Sequence, residues 1–166
     1  MFVLGIDPGL SATGYGVIEV NGPRLMPVAA GVIRTDRGAA TAQRLAELAA
    51  DLETVISDYN PSEAAIEEVF VNRNLQTATG VGRAAGAALL TVARAGLEVA
   101  EYTPSAVKLA VSGSGTATKE QVQAMVARRL GLEAAPSPAD AADALAVAIC
   151  HAQAHSGRRR VAEARS

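Results

Sequence analysis

The chain has 166 residues and a net charge of −2, with 49% apolar and 19% charged residues. This length and composition are typical of one soluble domain. No stretch approaches the ~20 apolar residues of a membrane helix, and no basic segment precedes an apolar run as in a secretory signal. We therefore expect a cytoplasmic protein. The single cysteine, Cys150, excludes an internal disulfide, and its apolar surroundings predict a buried small side chain.

The charge balance leaves the class of partner open. A slight excess of acid does not favour nucleic acid, because DNA-binding domains are usually basic. However, acids that bind divalent cations lose their negative charge locally. The arginines are also unevenly placed, with Arg158, Arg159, Arg160 and Arg165 near the C-terminus.

Hydrophobic periodicity predicts ten elements in the order β-β-β-α-β-α-β-α-α-α. The strands are predicted at residues 2–7, 14–20, 28–34, 63–69 and 97–102. The helices are predicted at about 41–58, after the loop 72–77 to about 96, from 105, from 118 to 130 and at 138–155. A meander followed by alternating β and α predicts a mixed five-stranded sheet with helices on both faces. The α/β domain spans residues 1–155, and the Arg-rich tail 156–166 is expected to be disordered.

The first predicted strand ends in an acid. In V-L-G-I-D-P-G an apolar run stops at Asp7, and Pro8-Gly9 follows. A carboxylate at the end of a buried strand is costly unless it is paired or bound to metal. The edge where strands end is also where α/β sheets bind ligands. The alternative is that Asp7 caps its own Pro-Gly turn, and this residue alone does not decide between the two.

A second acidic site lies in A-A-I-E-E-V. Strand alternation sends Glu67 and Glu68 to opposite faces of the sheet, so that one of them can enter a site. If this strand runs parallel beside the first, Glu67 ends near Asp7. The alternative is that both are ordinary acids at the end of a strand.

The last predicted helix begins with two acids three residues apart. Asp140 and Asp143 therefore share one face of its first turns. Ser137 is predicted as the N-cap and Pro138 as the first helical residue. Helix capping is a strong alternative for Asp140. It is a weak alternative for Asp143, because the helix that Asp143 begins is apolar almost all round, which implies that Asp143 is buried. A buried acid requires a cation.

Taken together, the sequence offers four carboxylates and no set of histidine or cysteine ligands. Oxygen ligands suit Mg²⁺ or Mn²⁺ better than zinc. Carboxylates that hold two such ions are suited to phosphodiester hydrolysis, in which one ion activates water and the other stabilises the leaving oxygen.

Three motifs resemble those of one known family, the bacterial RuvC Holliday junction resolvases, which have a ribonuclease-H-like fold. They are G-I-D-P-G-L-S-A-T-G-Y-G at residues 5–16, A-I-E-E-V-F-V-N-R-N at 65–74 and A-D-A-A-D-A-L-A-V-A-I at 139–149; the segment 107–122 is also similar. The resemblance runs from Phe2 to about His151 in the correct order and spacing. It implies a ribonuclease-H-like arrangement of the predicted sheet.

The resemblance also implies roles for particular residues. The catalytic, metal-binding acids would be Asp7, Glu67, Asp140 and Asp143, with two Mg²⁺ ions per site and Mn²⁺ as a substitute. The DNA-contacting residues would be Phe70, Arg73, Lys108 and Lys119. A homodimer would nick two strands of a four-way junction symmetrically, leaving 5′-phosphate and 3′-hydroxyl ends, in recombination and DNA repair. Its partners would be the junction and the RuvA–RuvB branch-migration complex.

Other features favour simpler interpretations or different classes of protein. Gly80, Gly82 and Gly86 lie in a helical stretch, which favours close helix packing, including packing at a dimer contact, over a dinucleotide loop. His151 is predicted to be a packed histidine rather than a base. An ATPase lobe of the actin or sugar-kinase type also has a Gly-rich hairpin after its first strand, but it needs a second lobe and has no use for the two acids on the last helix. A non-catalytic DNA scaffold would have no reason to keep four acids.

Overall fold

The computed structural model describes residues 1–69 and 74–163, with side chains as far as residue 157. Its elements, in chain order, are β1 (Phe2–Asp7), β2 (Ala12–Asn21), β3 (Arg24–Arg34), α1 (Thr41–Tyr59), β4 (Glu63–Glu67), α2 (Leu75–Arg94), β5 (Glu98–Tyr102), α3 (Pro104–Ser112), α4 (Lys119–Leu130) and α5 (Ala139–Glu163). This is the predicted order of elements. Within the described residues, no helix is both long and apolar enough to span a membrane.

The five strands form one sheet in the order β3-β2-β1-β4-β5. The first three are antiparallel neighbours, while β4 runs parallel to β1, and β5 runs parallel to β4. The predicted mixed sheet of meander and parallel strands is therefore confirmed. Because β1 and β4 are parallel, their carboxyl ends meet at one edge of the sheet, which we call the catalytic edge after the acids that are expected there to be catalytic.

Helices cover both faces of this sheet, as predicted. On one face α1 and α2 pack against Leu4, Ile6 and Ile66. On the other face α3, α4 and α5 pack against Val3, Ala65 and their neighbours. Each face buries its own aliphatic core, and α5 lies along one face of the central strands.

Small residues let α5 lie directly on the sheet. The register aligns Gly16, Gly5, Ala65 and Ala100 on neighbouring strands, with Ala30 at the outer end of the row. A Cβ atom added to Gly5 would lie 2.1 Å from the carbonyl oxygen of Ala144 in α5. The backbone of α5 therefore lies directly against the backbone of β1, at a separation that no residue larger than glycine permits.

Several boundaries differ from the sequence prediction, most notably those of β3 and α5. β3 begins at Arg24 rather than near Val28, and it contains Pro27 beside a register shift between Val17 and Ile18. Proline is tolerated there because β3 is an edge strand. On its outer side no neighbouring strand requires the backbone N–H that proline lacks. α5 begins at Ala139, one residue later than predicted, and the carbonyl of Pro138 accepts a hydrogen bond from the N–H of Ala141.

The far end of α5 also differs. The helix was predicted to end at residue 155, with a disordered tail from 156, whereas the backbone continues as helix to Glu163. Residues 164–166 lie outside the described residues, and the assignment of one nuclease domain followed by an Arg-rich tail stays a prediction. Cys150 is buried, as predicted, with 5% of its surface exposed.

Candidate active site

Two of the four predicted acids end adjacent strands at the catalytic edge. The register pairs Ile6 with Ile66, so Asp7 and Glu67 are the next residues along β1 and β4. Alternation along the strands places both on the face that α5 covers, because Gly5 and Ala65 point to that face. The parallel arrangement that the sequence analysis required of Glu67 is therefore confirmed.

The turn after β1 shows that Asp7 is not its cap. The backbone N–H of Gly9 donates to Oγ1 of Thr13 at 3.3 Å, and that hydroxyl donates to the Gly9 carbonyl at 2.7 Å. The Pro-Gly turn is thus satisfied by Thr13. The carboxylate of Asp7 is left for the site.

The other two acids come from the first turns of α5. Gly14 is paired with Asp7 across β1 and β2. A Cβ atom at Gly14 would lie 2.0 Å from the carbonyl oxygen of Asp140, so the absence of a side chain there lets the start of α5 approach Asp7. Within the described residues, no hydrogen bond joins Asp140 to Ser137, so the alternative that Asp140 completes a capping box with Ser137 is not supported.

Burial and mutual repulsion make this cluster costly to ionise. Burial, followed by the charges of Glu67, Asp143 and Asp140, raises the pKa of Asp7 to about 7, while Lys119 lowers it. Burial and the charge of Asp143 likewise raise the pKa of Glu67, against lowering by Lys108 and Lys119. At neutral pH Asp7 is therefore only partly ionised, and a bound cation would displace its remaining proton.

Lysine 119 is the cation that meets the cluster. Its Nζ lies 2.7 Å from Oδ2 of Asp143, whose side chain is 21% exposed. That hydrogen bond is the main reason why the pKa of Lys119 is raised. Lys119 is the first residue of α4, and a capping box between Thr118 and Gln121 fixes the helix start beside the acids. The predicted need of Asp143 for a cation is met by this lysine.

Two cavities open at the catalytic edge and share Glu67. One is lined by Asp7 and by the first turn of α2, including Thr77 and Ala78. The other is lined by Lys108, Lys119 and Asp143. The structure thus brings both predicted lysines to the carboxylates, on the α3–α4 side.

The donor set fits hard divalent cations, because it consists of carboxylate oxygens that repel one another when no cation is present. In the positions that they occupy, no three acidic, histidine or cysteine side chains among the described residues close around an ion. Side-chain rotation, including release of Asp143 from Lys119, would therefore accompany binding.

Several predicted residues lie elsewhere or outside the description. Phe70 and Arg73 fall outside the described residues. His151 is packed, as predicted, at 4% exposure, with its ring between Tyr102 and Glu63. Gly80 packs against Leu10, as the packing interpretation predicts, whereas no described residue outside the adjoining helix backbone comes within 4 Å of a Cβ position at Gly82 or Gly86.

Sequence reasoning missed the glycines that seat α5. The signal was present as glycines at alternate positions of β2, Gly14 and Gly16, which share one face of the strand. Successive glycines on one face of a strand indicate that another backbone approaches that face closely.

Comparison with known proteins gives a consistent result. The family model described as crossover junction endodeoxyribonuclease RuvC matches residues 3–151. The protein of that name from Heliobacterium modesticaldum is 55% identical and covers 90% of this chain and 93% of its own length. The one from Rhodospirillum rubrum is 52% identical and covers 100% of this chain and 98% of its own.

A solved structure agrees with these sequence matches. T. thermophilus RuvC in complex with a Holliday junction substrate superposes with a TM-score of 0.88 at 38% identity, covering 94% of this chain and 95% of that one. The match covers nearly the whole chain, including the sheet and both helical layers.

Proposed function

The chain belongs to the RuvC family of crossover junction endodeoxyribonucleases, and on that premise we propose that it resolves four-way DNA junctions at the carboxylate cluster of its catalytic edge. The family implies dependence on a divalent metal. We propose Mg²⁺, with two ions per site and Mn²⁺ as a substitute, because the four donors are carboxylates. The catalytic and metal-binding residues are Asp7, Glu67, Asp140 and Asp143.

One observation supports this proposal most strongly, namely that the sheet register and the close approach of α5 bury Asp7 beside three other acids, which raises its pKa to about 7. A protein that only bound DNA would be stabilised by replacing such acids. When bound, the ions activate a water molecule and stabilise the leaving 3′-oxygen. Asp7 and Glu67 stand on strands, so the sheet holds them rigidly, while the first turns of α5 supply the other pair.

The lysines hold the DNA backbone at this site. Lys119 is half exposed, with 55% of its side chain accessible, and is already positioned by Asp143. When Asp143 turns to a cation, Lys119 is released to pair with a phosphate. Lys108 lines the same cavity from α3. We propose that both lysines contact the strand that is cut, and that Phe70 and Arg73 contact DNA near the crossover.

We further propose that the protein acts as a homodimer in the cytoplasm, with the RuvA–RuvB complex as partner in recombination and repair. A two-fold symmetric junction requires two like nicks, which a two-fold symmetric dimer supplies. The outer face of α2 supports such a contact, since Gly82 and Gly86 are open beside Leu90, which is 59% exposed. Sedimentation of the parent and of a Gly86→Arg variant tests this surface.

The decisive experiment uses a labelled four-way junction with Mg²⁺. We expect paired symmetric nicks with 5′-phosphate ends from the parent, and binding without cutting from Asp7→Asn. The matched control is Asp51→Asn, which removes the same charge from an exposed position on α1. Normal cutting by Asp7→Asn would refute the assignment of the site. Absence of cutting by the parent would refute the function.

A further inference from the structure

The turn between β1 and β2, residues 8–11, is the segment that follows Asp7 directly. Turns are more mobile than the strands that they join. A displacement of about 1 Å at a catalytic group can cost about 10²-fold in rate. A nuclease that relies on Asp7 therefore needs this turn to be fixed.

The inner half of the turn is fixed by its own strand. The hydroxyl of Thr13 exchanges two hydrogen bonds with the backbone of Gly9, at 2.7 and 3.3 Å. Thr13 is 1% exposed, so water does not compete for these bonds. They hold Gly9 but leave the outer half of the turn, Leu10 and Ser11, without support from this source.

The outer half is fixed by β3 and α1. The hydroxyl of Thr35, directly after β3, donates to the Leu10 carbonyl at 2.6 Å, and its N–H donates to the Ser11 carbonyl at 3.3 Å. Arg44 of α1 then joins both parts: its Nε donates to Thr35 Oγ1 at 3.0 Å, and its Nη2 donates to Ser11 Oγ at 2.8 Å. One guanidinium thus spans the strand end and the turn.

The chemistry of Arg44 is unusual for a structural arginine. Among the described residues no carboxylate lies within ion-pair distance of it, and both of its acceptors are neutral hydroxyls. The planar fork of a guanidinium can reach two acceptors in fixed directions, whereas the single ammonium of lysine cannot hold both in the same geometry. Geometry, rather than pairing of charge, accounts for an arginine at this position.

We propose that Arg44 is a positioning residue for the nuclease reaction, one that clamps the β1–β2 turn and thereby fixes the carboxylate of Asp7. It acts from the face of the sheet opposite α5, so it does not belong to the carboxylate cluster. The inference rests on the proposed function, because it gives Asp7 the catalytic role assigned above.

The main rival is that Arg44 contacts a DNA phosphate. The two roles differ in what they change. A positioning residue alters the cleavage step and the binding of cations while leaving the affinity for the junction intact. A phosphate contact weakens binding and lowers the slope of log affinity against log salt by about one.

The experiment compares Arg44→Met and Arg44→Lys with the parent in single-turnover cleavage of a four-way junction. We expect both variants to cut about tenfold or more slowly, and to bind Mg²⁺ about tenfold more weakly by isothermal titration calorimetry. We expect junction affinity within about twofold of the parent, and an unchanged salt slope. The control Arg24→Met removes the same charge from the opposite edge of the sheet and should match the parent.

Two milder variants keep the test valid if Arg44→Met does not fold. Thr35→Ser retains the bridging hydroxyl and should cut like the parent, whereas Thr35→Val removes it and should slow cleavage like the Arg44 variants. Parental cleavage rates for Arg44→Met, or for Thr35→Val where the arginine variant is unfolded, overturn the proposal. A loss that appears equally in junction affinity, with a lower salt slope, also overturns it. An inactive parent refutes the proposed function instead.

Discussion

Adding one methyl group at Gly14 should displace half of the carboxylate cluster without removing any carboxylate. The Cβ of a Gly14→Ala variant would lie 2.0 Å from the Asp140 carbonyl oxygen, and real Cβ contacts essentially never fall below 3.0 Å. The start of α5 must therefore retreat by about 1 Å. A shift of this size at a catalytic group corresponds to about a 10²-fold loss in rate, or about 2.7 kcal/mol in activation free energy.

The assay is single-turnover cleavage of a labelled junction, together with urea unfolding and junction binding. We expect junction affinity to remain, and a free energy of unfolding lower by about 1–3 kcal/mol, as for other overpacked sites. The matched control is Gly157→Ala in the same helix, where nothing lies within 4 Å of the added atom. A folded Gly14→Ala variant that cuts within twofold of the parent would refute the reasoning that close backbone approach sets the site.

Three further predictions concern the charges on α5 and its neighbours. Without divalent ions, the raised pKa of Asp7 should make the free energy of unfolding fall as pH rises from about 4 to about 7, by at most about 4 kcal/mol; urea titrations should show a flatter profile for Asp7→Asn. Lys119→Met, which removes the partner of Asp143 and the charge that lowers the pKa of Asp7, should slow cleavage about 10²-fold in stopped assays. His151→Phe breaks the 2.6 Å bond to Glu63 and should cost about 1–3 kcal/mol in urea unfolding, with unchanged cleavage.

The direction of the pH effect follows from the two states of Asp7. In the unfolded chain its carboxyl ionises at its ordinary pKa of 3.8, whereas in the folded protein it keeps its proton up to about 7. Between these values the unfolded state is the one that gains from losing the proton, so folding becomes less favourable as pH rises. A parent profile that falls no more steeply than that of Asp7→Asn would contradict burial of Asp7 among like charges.

Local patterns in the sequence were sufficient for the elements and for half of the site. Asp7 ends an apolar run and precedes Pro8-Gly9, so the short segment of residues 3–9 is enough to predict that it lies at a strand end. The position of Glu67 followed once β4 was assumed to be parallel to β1, because the register of parallel strands brings their ends together. The early start of β3 at Arg24 was not visible, because it depends on the pairing of this edge strand with β2.

The remaining features depend on contacts between distant segments, which periodicity does not encode. Arg44 bonds to Ser11 across 33 residues, and nothing in α1 distinguishes this arginine from a surface charge. The capping interpretation of Asp140 rested on local spacing alone, and that spacing does not show that the start of α5 lies against Gly14 of β2.

The row of small residues beneath α5 has a consequence for how this protein tolerates mutation. A side-chain contact can be repaired by a different rotamer or a compensating neighbour, and aliphatic cores accept many such exchanges. The contact of Gly5 and Gly14 with α5 is between main chains, which have no alternative conformation to offer. Random mutagenesis scored by junction cleavage should therefore find Leu48 and Leu52 of the α1 core replaceable by other aliphatic residues, and these two glycines replaceable by nothing.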